Sequence, residues 1–469
     1  MLNDFERPSR SLLWLSQVGG VVTAIAMIFS LRSWIATTQP KSPEIVVLSP
    51  TEISKLDAAS INPANPATAI DLTPLPIEFS PMDQAIGQKA WRYFQQNWNA
   101  KTGFVNAATD KESITMSDTA ITLAAIVSAK ELNIIEDKEF TEKMSLLLKT
   151  LAKLPLYKDQ LPNKFYNAKT GDMTGSDQSN TVQSNTQSNT VQESGWSALD
   201  LGRLARWLKI VGDRYPQFRS QTQTIWQSWQ VESLTQKGQI YQVNVVQGEE
   251  QYKPQGRLGI EEYAAYGFKL WGLSVDQSLN VNTHRSWVQI YGQKVPVDSR
   301  PALDANANEG TIDSYFLDGI ESGFQALPKS DADRILSAQI ARYQATHQLT
   351  AVAQDRLDRS PGVLNNTLYA NQQPWASVAN QQNYPDFRGL STKASIAWDV
   401  LYHTNYTQSL VSFVKANLES DRGWYSGYYE VLKQPNQALT AETNGVILES
   451  LLYRKVKKPL LQWAKTGDR

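Results

Sequence analysis

Beyond about residue 82, apolar side chains recur every three to four positions, the spacing that gives a helix one apolar stripe. Residues 118–132, DTAITLAAIVSAKEL, are apolar all round, and Asp118 suits the N-cap of a helix beginning there. Residues 138–153, KEFTEKMSLLLKTLAK, are amphipathic and stop before Pro155. Residues 195–211, GWSALDLGRLARWLKIV, set Leu199, Leu201, Leu204, Trp207, Leu208 and Val211 at helical spacing. A break at Tyr215-Pro216 precedes a helix over 218–234. The same pattern predicts helices near 82–97, 259–273, 312–325, 330–347, 391–403, 406–417 and 440–454. Strand signals are sparse, the clearest being GQIYQVNVV at 238–246. Eleven or twelve short helices in hairpin-like succession predict an all-α domain over 82–469, an (α/α)6-type toroid. An open solenoid would need a repeating period, and none is present.

The first part of the chain has a different texture. After a short tail (1–10), residues 11–35 begin with SLLWLSQVGGVVTAIAMIFSL, which is uncharged and long enough to span a bilayer core. Trp14 and Trp34 lie near its ends. The expectation is a transmembrane anchor with the large domain outside the cytoplasm, in the periplasm. A cleaved signal peptide is the rival, because Ala24-Ile25-Ala26 is a small-x-small site. Residues 36–81 carry eight prolines from Pro40 to Pro81 and read as a semi-extended linker. Residues 172–194 repeat Gln-Ser-Asn-Thr with almost no apolar side chain and read as a low-complexity insertion.

Composition narrows the chemistry. Basic and acidic residues nearly balance, 45 against 46, so nucleic acid is not an expected partner. The chain has no cysteine, which removes disulfides, zinc-thiolate sites and cysteine nucleophiles. Its three histidines, His284, His347 and His403, are scattered, so no metal is expected. No P-loop, nucleophile elbow or dinucleotide fingerprint occurs, and no cofactor is expected. What stands out is 14 Trp and 19 Tyr, with acids at loop–helix junctions beside them.

Those acids are Asp118, Glu193, Asp200, Glu261, Glu262, Glu309, Asp313, Glu430 and Glu442. Any one could simply serve a helix N-terminus by capping and by the helix dipole. In a toroid, however, the inner helices point their N-termini at one mouth. Acids and aromatics gathered there are the equipment for glycoside cleavage: one carboxylic acid protonates the leaving oxygen and another carboxylate activates water. The stretch DRGWYSGYYEVLKQPNQALTAETNG (421–445) would deliver Trp424, Tyr425 and Glu430 to that mouth and follow them with Glu442.

The same junctions resemble the bacterial domain of unknown function numbered 3131. The matching stretches include AWRYFQQNWNAKTGFVNA, SDTAITLAAIVSAKELNII, LPNKFYNAKTG, GWSALDLGRLARWLKIV, EEYAAYGFKLWGL, GLSTKASIAWDVLY, RGWYSGYYE and LTAETNGVILESLLY. Members of that family are similar to (α/α)-toroid carbohydrate-active enzymes, often in envelope or exopolysaccharide settings. The resemblance implies cleft positions at Asp118, Trp196, Asp200, Glu261, Glu262, Lys393, Trp424, Tyr425, Glu430, Thr443 and Asn444. This chain departs from the family at Ser117-Asp118, where Trp-Asp is usual, and at Glu442-Thr443-Asn444, where Asn-Thr-Asn is usual.

Together these readings predict a membrane-anchored, glycoside hydrolase-like domain acting on an envelope glucan or exopolysaccharide. Glu430 and Glu262 are the candidate acid and base, and Asp118 orients water or substrate. Trp196, Trp424 and Tyr425 are the stacking platforms, with Asp200, Glu261, Glu309, Asp313, Lys393, Glu442, Thr443 and Asn444 as further contacts. The alternative is a non-catalytic saccharide-binding or scaffold module that works with polysaccharide synthesis or export proteins.

Overall fold

The computed structural model describes residues 48–61, 69–175, 194–300, 312–380 and 382–466. Its helices, in chain order, are α1 (Pro50–Ala59), α2 (Pro81–Asn97), α3 (Met116–Glu131), α4 (Asp137–Leu151), α5 (Ala198–Arg214), α6 (Pro216–Gln227) and α7 (Ile260–Lys269). They continue with α8 (Asp313–Ser322), α9 (Lys329–Thr346), α10 (Thr392–Tyr402), α11 (Asn405–Asn417), α12 (Ala441–Val456) and α13 (Leu460–Lys465).

Six of these helices make a closed inner ring. α3 packs on α5, α5 on α7, α7 on α8, α8 on α10, α10 on α12, and α12 on α3. The others lie outside: α2 against α12 and α3, α4 against α3, α6 against α5, α9 against α8, and α11 against α10. This explains why α3 is apolar all round: Ala120 to Ala129 are buried on every side. α5 and α7 cross closely. A Cβ on Gly202 would lie 2.6 Å from Ala264 Cα, so a side chain there would push the helices apart. α13 sits against the C-terminal ends of α5 and α8, where Arg214 stacks on Trp463 and Pro459 meets Gly323. The first turns of the inner helices are at the opposite end.

The interior of the ring is not wholly apolar. Arg206 on α5 donates to Asp318 on α8 (3.1 Å) and to the Tyr263 carbonyl on α7 (2.7 Å). Tyr263 Oη and Trp207 Nε1 both donate to Glu321, at 2.8 and 2.9 Å. Arg203 pairs with Glu449 on α12 at 3.3 Å. These groups are buried, where unpaired charge would be expensive, and their pairings tie four ring helices together.

The all-α expectation is corrected. Eight small antiparallel sheets occur among the described residues, the largest four-stranded over 354–356, 363–366, 377–379 and 382–383. Most of their strands have two to four residues, too few for a period-two pattern to show in sequence. Several lead straight into ring helices: Ser113–Ile114 precedes α3, and Gly389–Ser391 runs into α10.

The N-terminal region also differs from expectation. Within the proline-rich stretch, α1 is capped by Ser49, with Pro50 at the first helical position and Glu52 completing the capping box. Its Asp57 is buried against Arg342 and Arg388, both at 3.0 Å, so α1 belongs to the compact unit that begins at Ser49. The anchor expected over 11–35 lies outside the described residues. Among the described residues no helix is long and apolar enough to cross a membrane, so the expectation of a single-pass membrane protein with a periplasmic domain finds no support there.

Candidate functional site

Three carboxylates stand in the first turns of three consecutive ring helices, α12, α3 and α5. Asp118 is the third residue of α3. Its Oδ2 accepts from Thr115 N and Thr115 Oγ1, both at 2.9 Å, leaving Oδ1 outside the cap. Asp200 is the third residue of α5. There Ser197 Oγ accepts from Asp200 N (3.3 Å), and the carboxylate does not fold back on the backbone. Glu442 is the second residue of α12. Thr440 caps that helix by accepting from Thr443 N (3.0 Å), which frees the Glu442 side chain. Glu442 Oε1 accepts instead from Lys393 Nζ at 2.7 Å.

Lys393, from the first turn of α10, is the hub of the adjoining wall. Its Nζ also donates to the Gln354 carbonyl (2.6 Å), pairs with Asp313 on α8 (2.7 Å), and lies 3.9 Å from Asp355. Asp313 Oδ2 in turn accepts from Gln354 N at 2.9 Å. Five of these groups therefore come from ring-helix first turns, and a short strand, Gln354–Arg356, completes the wall.

The electrostatics separate the acids. Burial raises the Asp118 carboxyl, and the Glu442 charge adds to the rise against Thr115 and Arg356. Burial, with Asp118 adding, pushes Asp200 up to about 6 against Ser197, Lys164 and Arg203. Burial also opposes the Glu442 charge, but Lys393, Arg203 and Arg356 outweigh it and hold Glu442 below its usual range. Asp118 thus sits between the other two, both in helix order and in charge coupling. Close titratable groups with pKa values driven apart mark a potential acid and base.

The two residues expected to lead catalysis are elsewhere. Glu430 is buried and fully engaged: Arg342 Nη2 donates to its Oε1 (2.8 Å), Arg342 Nη1 to its Oε2 (2.9 Å), and Arg388 lies 3.1 Å away. Burial raises its carboxyl, but Arg342 and Arg388 overcome that and leave it below the usual range, so it serves as a structural counter-ion. Glu262 folds back on α7, where its Oε2 accepts from Gly259 N at 2.8 Å. Burial, with Glu261 adding, pushes it to about 8. Its charged neighbours are Glu261 and Arg300, not the trio. Glu261 is itself buried, accepting from Arg300 (2.6 Å) and Ser278 (2.8 Å).

Two of the expected aromatic platforms are packed into the fold. Trp196 is 5% exposed and wedged edge-on between Tyr157 and Tyr252. Trp424 is 3% exposed, and its Nε1 donates to the Ile86 carbonyl at 3.1 Å. Asn444 holds the Trp424 backbone by accepting from its N at 2.8 Å, and Thr443 is consumed by the α12 cap. Tyr425 is half-buried and its carbonyl accepts from Thr392 Oγ1 at 2.6 Å. Glu193 and Glu309 lie outside the described residues.

Four members of the wall were not singled out in sequence: Lys164, Arg203, Asp355 and Arg356. Lys164 donates to Gln242 (3.1 Å) and Asn244, which alternate on one face of the strand Gln239–Val246. That alternation was a readable signal. Asp355 and Arg356 lie in a three-residue strand that leaves no periodicity to read.

Solved structures of similar fold include β-1,2-glucanases and putative glucoamylases. An endo-β-1,2-glucanase from Chitinophaga pinensis, in complex with sophorotriose and glucose, aligns with a TM-score of 0.59 at 11% identity, covering 83% of this chain and 95% of that one. A β-1,2-glucanase from Parabacteroides distasonis aligns at 0.55 and 10% identity, over 83% and 60% of the two chains. An endo-β-1,2-glucanase from Talaromyces funiculosus with sophorose aligns at 0.53 and 11% identity, over 82% and 86%. At these identities the likeness is one of fold. No curated protein matches in sequence. Residues 85–457 match the family described as proteins of unknown function, DUF3131, and the chain belongs to that family.

Proposed function

We propose that the chain is a glycoside hydrolase-like enzyme that cleaves a glucan by carboxylate acid–base catalysis. The observation that carries this is the linked trio Asp118, Asp200 and Glu442, with Asp200 shifted up and Glu442 shifted down. Asp200 is the general acid: it gives its proton to the glycosidic oxygen as the bond from that oxygen to the anomeric carbon breaks. Glu442, kept ionised by Lys393, takes a proton from the water that attacks that carbon. The Asp118 charge helps to keep the proton on Asp200. Three of the similar structures are β-1,2-glucanases, which makes that linkage the first to try.

The test is reducing-end release from β-1,2-, β-1,3-, β-1,4- and α-glucans. Asp200→Asn and Glu442→Gln should each lower the rate by roughly 100-fold or more, the usual scale for a lost acid or base. Release that survives both substitutions would refute the assignment. Binding without release by the unsubstituted protein would favour a saccharide-binding module.

A further inference from the structure

A cleft of about 550 Å³ opens beside the trio. Its floor, Ala438 and Leu439, leads directly into the Thr440 cap and Glu442. The loop carrying Asp110 is joined to that floor by a hydrogen bond from Thr109 N to the Leu439 carbonyl (3.2 Å). Arg356 lines the cleft and is also close enough to Asp118 and Glu442 to favour both carboxylates. The cleft is therefore a continuation of the catalytic wall.

Its chemistry is unlike that of a site for neutral sugar. None of its lining residues is aromatic, so it offers no platform for a sugar face. Lys111, Arg356, Arg359 and Arg422 face only two acids, Asp110 and Asp358. Asp358 is already occupied: its carboxylate accepts from Arg359 Nε (2.8 Å), Tyr429 Oη (2.8 Å) and Gln437 N (2.9 Å). Arg359 is fixed by that pair, by the Gln434 side-chain oxygen, which accepts from its Nη1 (3.0 Å) and Nη2 (3.1 Å), and by lying over the Tyr429 ring, 4.8 Å from its centroid. Arg422 is exposed, and among the described residues its guanidinium makes no hydrogen bond or ion pair. With four cations in the lining against two acids, and the paired N–H donors of Arg422 unspent at the rim, the cleft suits an anion.

We propose that this cleft is a subsite for an anionic group on the saccharide, either the carboxylate of an acidic sugar or an acidic ester on a neutral one. This rests on the saccharide reading of the trio and adds the charge of the substrate to it.

The experiment measures binding calorimetrically with the full chain and three probes: a glucose tetrasaccharide, the same tetrasaccharide carrying one phosphate ester, and an oligoglucuronate of equal length. One or both acidic probes should bind at least about tenfold more tightly than the neutral one, the scale of one charge-assisted contact. Which acidic probe prevails identifies the source of the charge. The preference should fall in high salt. Arg422→Gln, on an exposed turn, should remove most of it. Neutral binding as tight as acidic binding, no binding of either acidic probe, or an undiminished preference in Arg422→Gln would overturn the proposal. Asp200→Asn separates the two readings. It should abolish cleavage and keep the binding preference, so loss of preference alone would leave the catalytic assignment standing.

Discussion

Glu430→Gln distinguishes a structural counter-ion from a catalytic acid. In the folded protein Arg342 and Arg388 face two carboxylates, Asp57 and Glu430, all buried. Replacing Glu430 with an amide leaves two guanidinium charges against one carboxylate out of water. Breaking a buried pair in this way costs about 3–5 kcal/mol. For the roughly 420 residues of the unit Ser49–Arg469, an unfolding entropy of about 2.1 cal/mol/K per residue gives about 0.9 kcal/mol per degree. The melting temperature should therefore fall by about 3–6 °C. Glu430 is held below its unfolded range, so its contribution is present above the unfolded pKa and is lost as pH falls through the folded one. The deficit of the variant should accordingly shrink in acid. Scanning calorimetry at pH 7 and pH 3 measures both effects, and Asp57→Asn in a double-mutant cycle should be coupled to it. Glycan cleavage per folded molecule should be unchanged. A variant that melts like the parent but loses cleavage would refute the counter-ion account.

Three further outcomes follow from the same geometry. Cleavage should fall as pH rises above about 6, because Asp200 must be protonated to act as an acid, and a rate profile in buffered glucan measures this. Lys393→Met should move the acidic limb of that profile to higher pH, because burial of Glu442 would then go uncompensated by its nearest cation, and it should also destabilise the fold by about 3–5 kcal/mol in urea unfolding. Gly202→Ala should cost about 1–3 kcal/mol by overpacking the α5–α7 crossing, a loss read as a lower urea midpoint at unchanged slope.

The ring helices were legible because each buries one stripe or more, and burial writes a period into the sequence. α3, apolar over nearly its whole surface, is the plainest case. The short strands were not legible, since strands such as Gly389–Ser391 are held by partners remote in sequence. Nor was the placement of Glu430 and Trp424. An acid beside aromatics looks the same in sequence whether it faces a cleft or a buried arginine, and only the fold brings Arg342 and Arg388 to Glu430. Asp57 makes the point from the other side: a residue read as linker proves to be a buried partner of that same pair.

What separates a useful acid from a structural one in this ring is who caps the helix. An acid at the third position, with no other side chain to serve the N-terminus, is drawn back onto its own backbone. Glu262 does this because Gly259 offers no side chain, and it is buried as a result. Asp118 is halfway, giving one oxygen to Thr115 and keeping the other. On α5 and α12 the hydroxyls of Ser197 and Thr440 cap alone, and Asp200 and Glu442 send no bond back to the cap backbone. The distinction lies within four residues of sequence, so it can be tested locally. Thr440→Ala would expose the α12 amides that Thr440 now satisfies and invite Glu442 to turn back toward them. The helix should lose about 1 kcal/mol, the usual worth of a cap. Cleavage should fall by more than that stability loss explains, because the base would have left Lys393. Full activity in a Thr440→Ala protein that is measurably less stable would show that the cap and the carboxylate are independent.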